Sequence, residues 1–214
     1  AFLVSNGEYA ILAFRGTEVT KRTDIKTDAK AFRVSLFEGR VHKGFAAAYK
    51  SIEIQVLKAV KRLAGLPLYI TGHSLGAAVA TVATQYLERD PALRDQIAAC
   101  YTFGSPRVGN KEYDRDLKSA IYRVVNTTDV VTVIPLLAMG YIHIGDIRFL
   151  SRSMGDIRRG IPILQRMFFF LMAAFRLFGP LVGDHGIENY RKKLEAVAQD
   201  RNLELYYDAR SGGR

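Results

Sequence analysis

Tyr69-Ile-Thr-Gly-His-Ser-Leu-Gly-Ala-Ala78 places Ser74 in the pattern G-x-S-x-G, between Gly72 and Gly76. The apolar residues before the pattern predict a buried strand. After the pattern, apolar residues recur at helical spacing and predict a helix. These residues are Leu75, Ala78, Val79, Val82, Ala83, Tyr86 and Leu87. A strand that turns directly into a helix holds the residue at the turn in a strained conformation and exposes it at the edge of the sheet.

The two glycines have a steric explanation, because a side chain at either position would collide with the neighbouring strand and helix. We therefore predict that Ser74 is a nucleophile whose hydroxyl stands clear of its surroundings. The helix N-terminus that follows would favour negative charge on an attacked carbonyl. The alternative is a glycine-rich turn with an incidental serine.

The pattern along the chain predicts an α/β fold, with a mostly parallel twisted sheet and helices on both faces. Apolar runs predict strands, the first of them buried on both faces, at residues 9–14, 68–70, 97–103 and 121–125, and a short strand-like run at 140–145. Apolar stripes predict one continuous helix over 45–63, a second after Ser74 and a third after His185. Residues 18–43 are polar and mixed, which predicts mostly solvated surface.

The length of 214 residues and an apolar fraction of 49% predict a single domain with a substantial core. The net charge of +10 predicts an anionic partner, such as a phospholipid surface or an acidic substrate. Nucleic acid ranks lowest, because the chain has no block of basic residues interleaved with aromatic ones. The single cysteine, Cys100, cannot form an internal disulfide and is predicted to be a small core residue. Localisation stays open between a secreted protein and a cytoplasmic one that associates peripherally with membrane.

Asp129 and His185 are the candidates for an acid and a base to accompany Ser74. Asp129 follows the strand at 121–125, so it should lie at the same sheet edge as Ser74, where a carboxylate can orient a histidine. An ordinary capping aspartate is the alternative. Hydrolases with the G-x-S-x-G turn carry their residues in the order Ser, Asp or Glu, His. We prefer His185 to His143 as the base, because a loop that opens a helix is more accessible than a strand.

Thr17 lies just past the first predicted central strand, in Arg15-Gly-Thr-Glu18. Loops at this edge of an α/β sheet face the ligand. The backbone N–H of Thr17 is therefore a candidate donor to an oxyanion. An ordinary turn that ends the strand is the alternative.

Residues 147–183 are predicted to form an apolar, arginine-rich insert. Residues 148–183 contain six arginines against one aspartate. Two interpretations remain, a buried helix over the sheet and a lid or interfacial anchor that contacts anionic lipid. In the second, the contacts would come from Arg166, Phe168, Phe169, Phe170 and Arg176. Serine replacements of the three phenylalanines that weaken binding to anionic vesicles more than cleavage of a soluble ester would favour the anchor.

The motifs together resemble the class 3 (fungal-type) lipases of the α/β-hydrolase fold. The matching segments are Phe14-Arg-Gly-Thr17, Val41-His-Lys-Gly-Phe45, Gly72-His-Ser-Leu-Gly76, Tyr101-Thr-Phe-Gly-Ser-Pro-Arg-Val-Gly109, Asn126-Thr-Thr-Asp129, Tyr141-Ile-His-Ile-Gly145 and Asp184-His185. The resemblance implies a triad of Ser74, Asp129 and His185. It also implies an oxyanion hole formed by Thr17 and the backbone N–H of Leu75, and a structural role for His143.

The expected activity is hydrolysis of acyl esters of acylglycerols or phospholipids through an acyl-enzyme on Ser74, without a metal or an organic cofactor. A feruloyl or short-chain esterase on the same fold is one alternative, since a fold does not determine a substrate. A non-catalytic lipid- or partner-binding relative is another. Covalent labelling of Ser74 by an organophosphonate separates the enzyme from the binding protein.

Overall fold

The computed structural model describes residues 1–16, 32–126, 129–135, 137–150, 157–159 and 185–201. In chain order the strands are β1 (Phe2–Ser5), β2 (Ala10–Phe14), β3 (Arg33–Leu36), β4 (Gly39–His42), β5 (Leu68–His73), β6 (Ile97–Phe103), β7 (Ile121–Asn126), β8 (Asp146–Leu150) and β9 (Ile157–Arg158). The helices are α1 (Lys43–Lys50), α2 (Glu53–Lys61), α3 (Leu75–Glu88), α4 (Lys111–Asp116) and α5 (Ile187–Asp200). Residues 17–31, which include Thr17, lie outside the described ranges.

Within the described ranges, seven strands form the main sheet in the order β1-β2-β5-β6-β7-β8-β9. In this sheet the five central strands run parallel, namely β2, β5, β6, β7 and β8. The outer strands β1 and β9 pair antiparallel to their neighbours. Parallel strands bring their carboxyl ends to one edge of the sheet. The carboxyl ends of β2, β5 and β7 therefore lie at that edge, and the predicted mostly parallel sheet is confirmed.

Helices cover both faces of the sheet, as predicted. Side chains alternate along β5, so that Leu68 and Ile70 are buried on the face that carries α1, α2 and α3. On the opposite face, α5 packs Tyr190 against Val124 and Leu150. The position of α5 matters for the site, because His185 directly precedes this helix.

The predicted continuous helix over 45–63 is wrong, since the chain forms two helices with a break at Ser51–Ile52. Ile52 leaves the helical region with φ −125° and ψ 2°. The Ser51 hydroxyl donates to the carbonyl oxygen of Ala48 at 2.8 Å and competes with the helical backbone pattern. The apolar stripe nevertheless continues across the break, because Tyr49 and Val56 pack into the same core.

Two further segments differ from the prediction. Residues 33–42 form the hairpin β3–β4, which the sequence did not predict. Most described side chains of this region are exposed, in line with the predicted solvated surface, but Leu36 and Val41 are buried. The run at 140–145 is not a strand, since its pairing is an isolated bridge from Ile142 to Gly109. In the ranges described, none of the helices combines the length and the apolar character needed to cross a bilayer.

Candidate active site

Ser74 occupies the turn between β5 and α3 in a left-handed conformation, with φ 57° and ψ −124°. This backbone is strained for a non-glycine residue. A β-carbon on Gly72 would collide with the backbone of Gly76, and one on Gly76 would collide with the carbonyl oxygen of Phe14 in β2. The tight turn therefore depends on both glycines, for the steric reason that the sequence suggests. The Ser74 N–H donates to the carbonyl oxygen of Phe103 at 3.0 Å and ties the turn to β6.

Ser74, His185 and Asp129 form one continuous hydrogen-bonded chain. The Ser74 Oγ lies 2.8 Å from His185 Nε2, and His185 Nδ1 lies 3.0 and 2.9 Å from the two carboxylate oxygens of Asp129. An ionised carboxylate only accepts hydrogen bonds, so Nδ1 carries the proton. Nε2 is then free to accept the hydroxyl proton of Ser74. His143 does not take this position.

Burial isolates the three side chains from water, because Ser74 is 5% exposed, Asp129 4% and His185 5%. The expectation that the Ser74 hydroxyl stands clear of its surroundings is therefore wrong. The turn does lift the hydroxyl to the sheet edge, but the imidazole of His185 lies directly on it. A carboxylate and an imidazole in such a dry environment interact more strongly than they would in water.

Asp129 caps a turn and faces His185 at the same time. It precedes the 3₁₀ turn Val130–Val133, and its Oδ1 accepts from the N–H of Val131 at 2.9 Å. Its backbone carbonyl accepts from the hydroxyl of Thr132 at 2.7 Å. The capping role that the sequence left as an alternative is present, and it fixes the orientation that the contact with His185 requires.

Tyr190 is a residue of the site that the sequence did not identify. Its hydroxyl donates to Asp129 Oδ2 at 2.6 Å and accepts from the N–H of Asn126 at 3.0 Å. Burial, with the negative charge of Asp129 as a further cause, raises the pKa of Tyr190 well above 10.0. Tyr190 therefore remains protonated and a donor at ordinary pH. In the sequence it is one member of the apolar face of α5, and no local signal separates it from a core residue.

His73 contacts both the backbone and the ring of His185. Its Nε2 lies 2.7 Å from the backbone oxygen of His185, and the two imidazole rings lie 4.6 Å apart at 31°. Because a carbonyl oxygen only accepts, His73 donates through Nε2. Burial, followed by the proximity of the His185 imidazole, lowers the pKa of His73. The turn thus directs His73 to the backbone of His185 rather than to the serine hydroxyl.

The predicted oxyanion hole is described in part. Leu75 is the first residue of α3, so its N–H is among those that have no acceptor inside the helix. Thr17 lies outside the described residues, but Gly16, to which it is bonded, lies beside the turn. A β-carbon on Gly16 would be 2.6 Å from the carbonyl oxygen of His73 and 3.5 Å from the β-carbon of Ser74.

Most of the predicted insert at 147–183 also lies outside the described residues, including Arg166, Phe168, Phe169, Phe170 and Arg176. Its first four residues belong to the sheet, as part of β8. Among the residues described, no group of three or more His, Cys, Asp or Glu side chains is arranged to hold a metal ion.

The parallel sheet, the sharp turn at Ser74 and the flanking helices define the α/β-hydrolase fold. A family model described as Lipase (class 3) matches residues 11–139, which is more than half of the chain. The chain therefore belongs to the class 3 lipase family.

Individual relatives agree with this assignment. A secreted mono- and diacylglycerol lipase 1 of Fusarium solani is 39% identical over 110 residues, which cover 48% of this chain and 32% of that protein. A lipase of Rhizopus niveus is 32% identical over 144 residues, which cover 63% of this chain and 36% of that protein. The chain thus spans about a third of the length of these curated relatives. The crystal structure of a lipase from Rhizopus microsporus var. chinensis matches with a TM-score of 0.63 and 26% identity, covering 72% of this chain and 56% of that one.

Proposed function

We propose that this protein is a serine carboxylic-ester hydrolase that cleaves acyl esters of acylglycerols or phospholipids. The observation that carries the proposal is the unbroken contact from Ser74 Oγ through His185 to the Asp129 carboxylate. Acylglycerols are the leading substrate class, because the similar protein from Fusarium solani is named a mono- and diacylglycerol lipase.

The first half of the reaction acylates Ser74. His185 Nε2 takes the hydroxyl proton as Ser74 Oγ attacks the ester carbonyl carbon, and a tetrahedral oxyanion forms. The N–H groups of Leu75 and Thr17 are the proposed donors to this oxyanion, each worth on the order of 3 kcal/mol. Asp129 stabilises the imidazolium. When the intermediate collapses, His185 protonates the leaving alcohol and the acyl group remains on Ser74.

The second half of the reaction returns the free enzyme. Water attacks the acyl carbonyl carbon while His185 Nε2 takes its proton. The second tetrahedral intermediate then expels Ser74 Oγ, which regains its proton from His185, and the carboxylic acid leaves.

His73 contributes to the electrostatics of this cycle by remaining neutral. A second positive charge stacked 4.6 Å from His185 would oppose imidazolium formation in both transition states. Since burial lowers the pKa of His73, this imidazole is uncharged at neutral pH. It can therefore hold the backbone of His185 by a hydrogen bond without an electrostatic penalty.

Covalent labelling with an organophosphonate tests the proposal. We expect the wild type to incorporate one label per chain at Ser74 and to lose hydrolysis of p-nitrophenyl esters in proportion. Ser74→Ala should show neither labelling nor hydrolysis. Ser51→Ala, which removes a serine hydroxyl at the end of α1, should match the wild type.

Two outcomes would contradict the proposal. Hydrolysis by Ser74→Ala at the wild-type rate would exclude Ser74 as the nucleophile. A wild type that neither reacts with the label nor cleaves any ester would favour a non-catalytic lipid-binding protein. In an active protein, rates on a p-nitrophenyl ester series, a diacylglycerol emulsion and anionic phospholipid vesicles would identify the substrate class.

Peripheral contact with an anionic lipid interface is proposed from the sequence alone. It depends on Arg166 and Arg176 and on the aromatic run Phe168, Phe169 and Phe170. The comparison of vesicle binding with soluble-ester cleavage stated above remains its test.

A further inference from the structure

The Tyr190 hydroxyl lies in a fixed hydrogen-bond relay next to the acid of the site. The N–H of Asn126, at the end of β7, donates to the phenol oxygen at 3.0 Å. The phenol O–H donates in turn to Asp129 Oδ2 at 2.6 Å. Because Asn126 supplies the donor to the phenol oxygen, the phenol hydrogen is directed to the carboxylate. The ring itself is fully buried at 0% exposure, so the hydroxyl has no water to turn towards.

The two oxygens of Asp129 have separate donors besides the base. Oδ1 accepts from the N–H of Val131 at 2.9 Å, and Oδ2 accepts from Tyr190. His185 Nδ1 faces both oxygens. The torsion that rotates a carboxylate about its Cβ–Cγ bond has broad minima, so that rotation is not fixed by the side chain itself. A donor on each oxygen therefore defines the plane that the carboxylate presents to the imidazole.

We propose that Tyr190 is a positioning residue for the acid–base pair. By donating to Asp129 Oδ2 it holds the carboxylate plane against His185 Nδ1, and it withdraws part of the negative charge that stabilises the imidazolium. Tyr190 thus determines both how well His185 is oriented and how tightly it holds a proton. The inference depends on the hydrolase function proposed above.

The test compares Tyr190→Phe with Tyr113→Phe. Tyr113 is a matched control, because it is equally buried and its hydroxyl lies 3.4 Å from the backbone oxygen of Thr81, outside the triad. For Tyr190→Phe we expect kcat to fall about tenfold with an unchanged KM. Replacement of the orienting aspartate itself costs about 10⁴-fold, and the loss of one of its hydrogen-bond donors should cost much less. The acid limb of the pH profile of kcat/KM should shift to higher pH by about half a unit. Without the phenol donor the Asp129 carboxylate is more negative, and it therefore favours the protonated form of His185.

A second measurement tests the inference without relying on the phenylalanine variant to fold. Fluorinated tyrosine at position 190 keeps the shape of the ring and is a stronger donor. It should move the acid limb in the opposite direction, to lower pH. The rate at which an organophosphonate labels Ser74, followed against pH, should shift in parallel for both replacements.

Failure of this inference is distinguishable from failure of the proposed function. If Tyr190→Phe and Tyr113→Phe both lose stability while the acid limb of each stays at the wild-type position, Tyr190 is a packing residue and the inference is overturned. The same holds if fluorination leaves the acid limb unmoved. In either case Ser74→Ala would still be inactive. Hydrolysis that survives in Ser74→Ala would instead overturn the function itself.

Discussion

A single methyl group added at Gly104 should disturb Asp129, Tyr190 and His185 directly. Gly104 directly follows β6 and has φ +58°, in the left-handed region. A β-carbon there would lie 2.7 Å from Asp129 Oδ2, 3.1 Å from the Tyr190 hydroxyl and 3.2 Å from His185 Cε1. Gly104→Ala therefore combines a backbone cost with a collision against the Asp129 carboxylate that contacts His185.

The structure gives a magnitude for each part. Alanine in a left-handed conformation costs roughly 1–2 kcal/mol. To restore an ordinary contact of 3.4 Å, the carboxylate of Asp129 must withdraw by about 0.7 Å. Such a shift disrupts the hydrogen bond from Tyr190, and a hydrogen bond to a charged group is worth about 1.5–3 kcal/mol. We expect Gly104→Ala to lower the free energy of unfolding by about 2.5–5 kcal/mol in total.

The displaced carboxylate should also slow the reaction. A misplacement of about 1 Å in a catalytic group costs on the order of 10²-fold. We therefore expect kcat/KM of Gly104→Ala on a soluble p-nitrophenyl ester to fall by about that factor, measured at a temperature where urea titration shows the variant to be folded.

Gly65→Ala is the matched control, because Gly65 has φ +92° and open space around the position of a β-carbon. It should lose only the backbone part of the stability, roughly 1–2 kcal/mol, and keep wild-type kcat/KM. If Gly104→Ala matches Gly65→Ala in both measurements, the carboxylate is not held where the contacts indicate.

Two further predictions concern a neutral histidine and a buried glutamate. Burial and the neighbouring His185 lower the pKa of His73 in the folded protein. As the pH falls below about 6.5, the imidazole of residue 73 is therefore protonated more readily in the unfolded chain, and the free energy of unfolding decreases. Relative to His73→Phe, whose ring does not titrate, the wild type should therefore lose more stability between pH 7 and pH 5, and a constant difference in urea titrations would contradict this. Glu88 is 6% exposed and accepts from the N–H groups of Lys118 and Ser119 and from the Ser119 hydroxyl. Glu88→Gln should cost about 2 kcal/mol of stability with kcat/KM unchanged, and a loss of activity in the folded variant would show that the end of α3 influences the site.

The turn at Ser74 was predictable because its cause is local. The change from a strand pattern to a helical pattern occurs within a few residues, and the steric demand falls on Gly72 and Gly76, which the sequence shows directly. The parallel sheet was predictable for a related reason, since alternating strands and helices leave few ways to connect neighbouring strands.

The sequence did not predict two features that lack a local sequence signal, the hairpin β3–β4 and the helix break at Ser51. The hairpin β3–β4 turns through Phe37, which adopts φ 48° although it is neither glycine nor asparagine. The usual sequence signal for a two-residue hairpin turn is therefore absent. The helix break at Ser51 was missed because the apolar stripe has the same period on both sides of it, and the stripe was the basis of the prediction.

The residues that contact Asp129 and His185 were harder to predict than the meeting of Ser74, Asp129 and His185 at one sheet edge. Chain order and strand ends indicate Asp129 and His185, because those features concern the position of a residue in the topology. Tyr190 and His73 act through single atoms that meet partners 61 and 112 residues away. No periodicity encodes such contacts.

The contacts that hold Asp129 and His185 come from different elements of the fold. His73, on β5, holds the backbone of His185, while Tyr190, on α5, holds the carboxylate of Asp129. Tyr190 also packs into the core between α5 and the sheet, against Val124. A change in the packing of α5 therefore moves the phenol donor and the base together, because His185 leads directly into this helix. Substitutions that loosen α5 should alter the pH dependence of the reaction before they unfold the sheet, because the strands have their own backbone pairing.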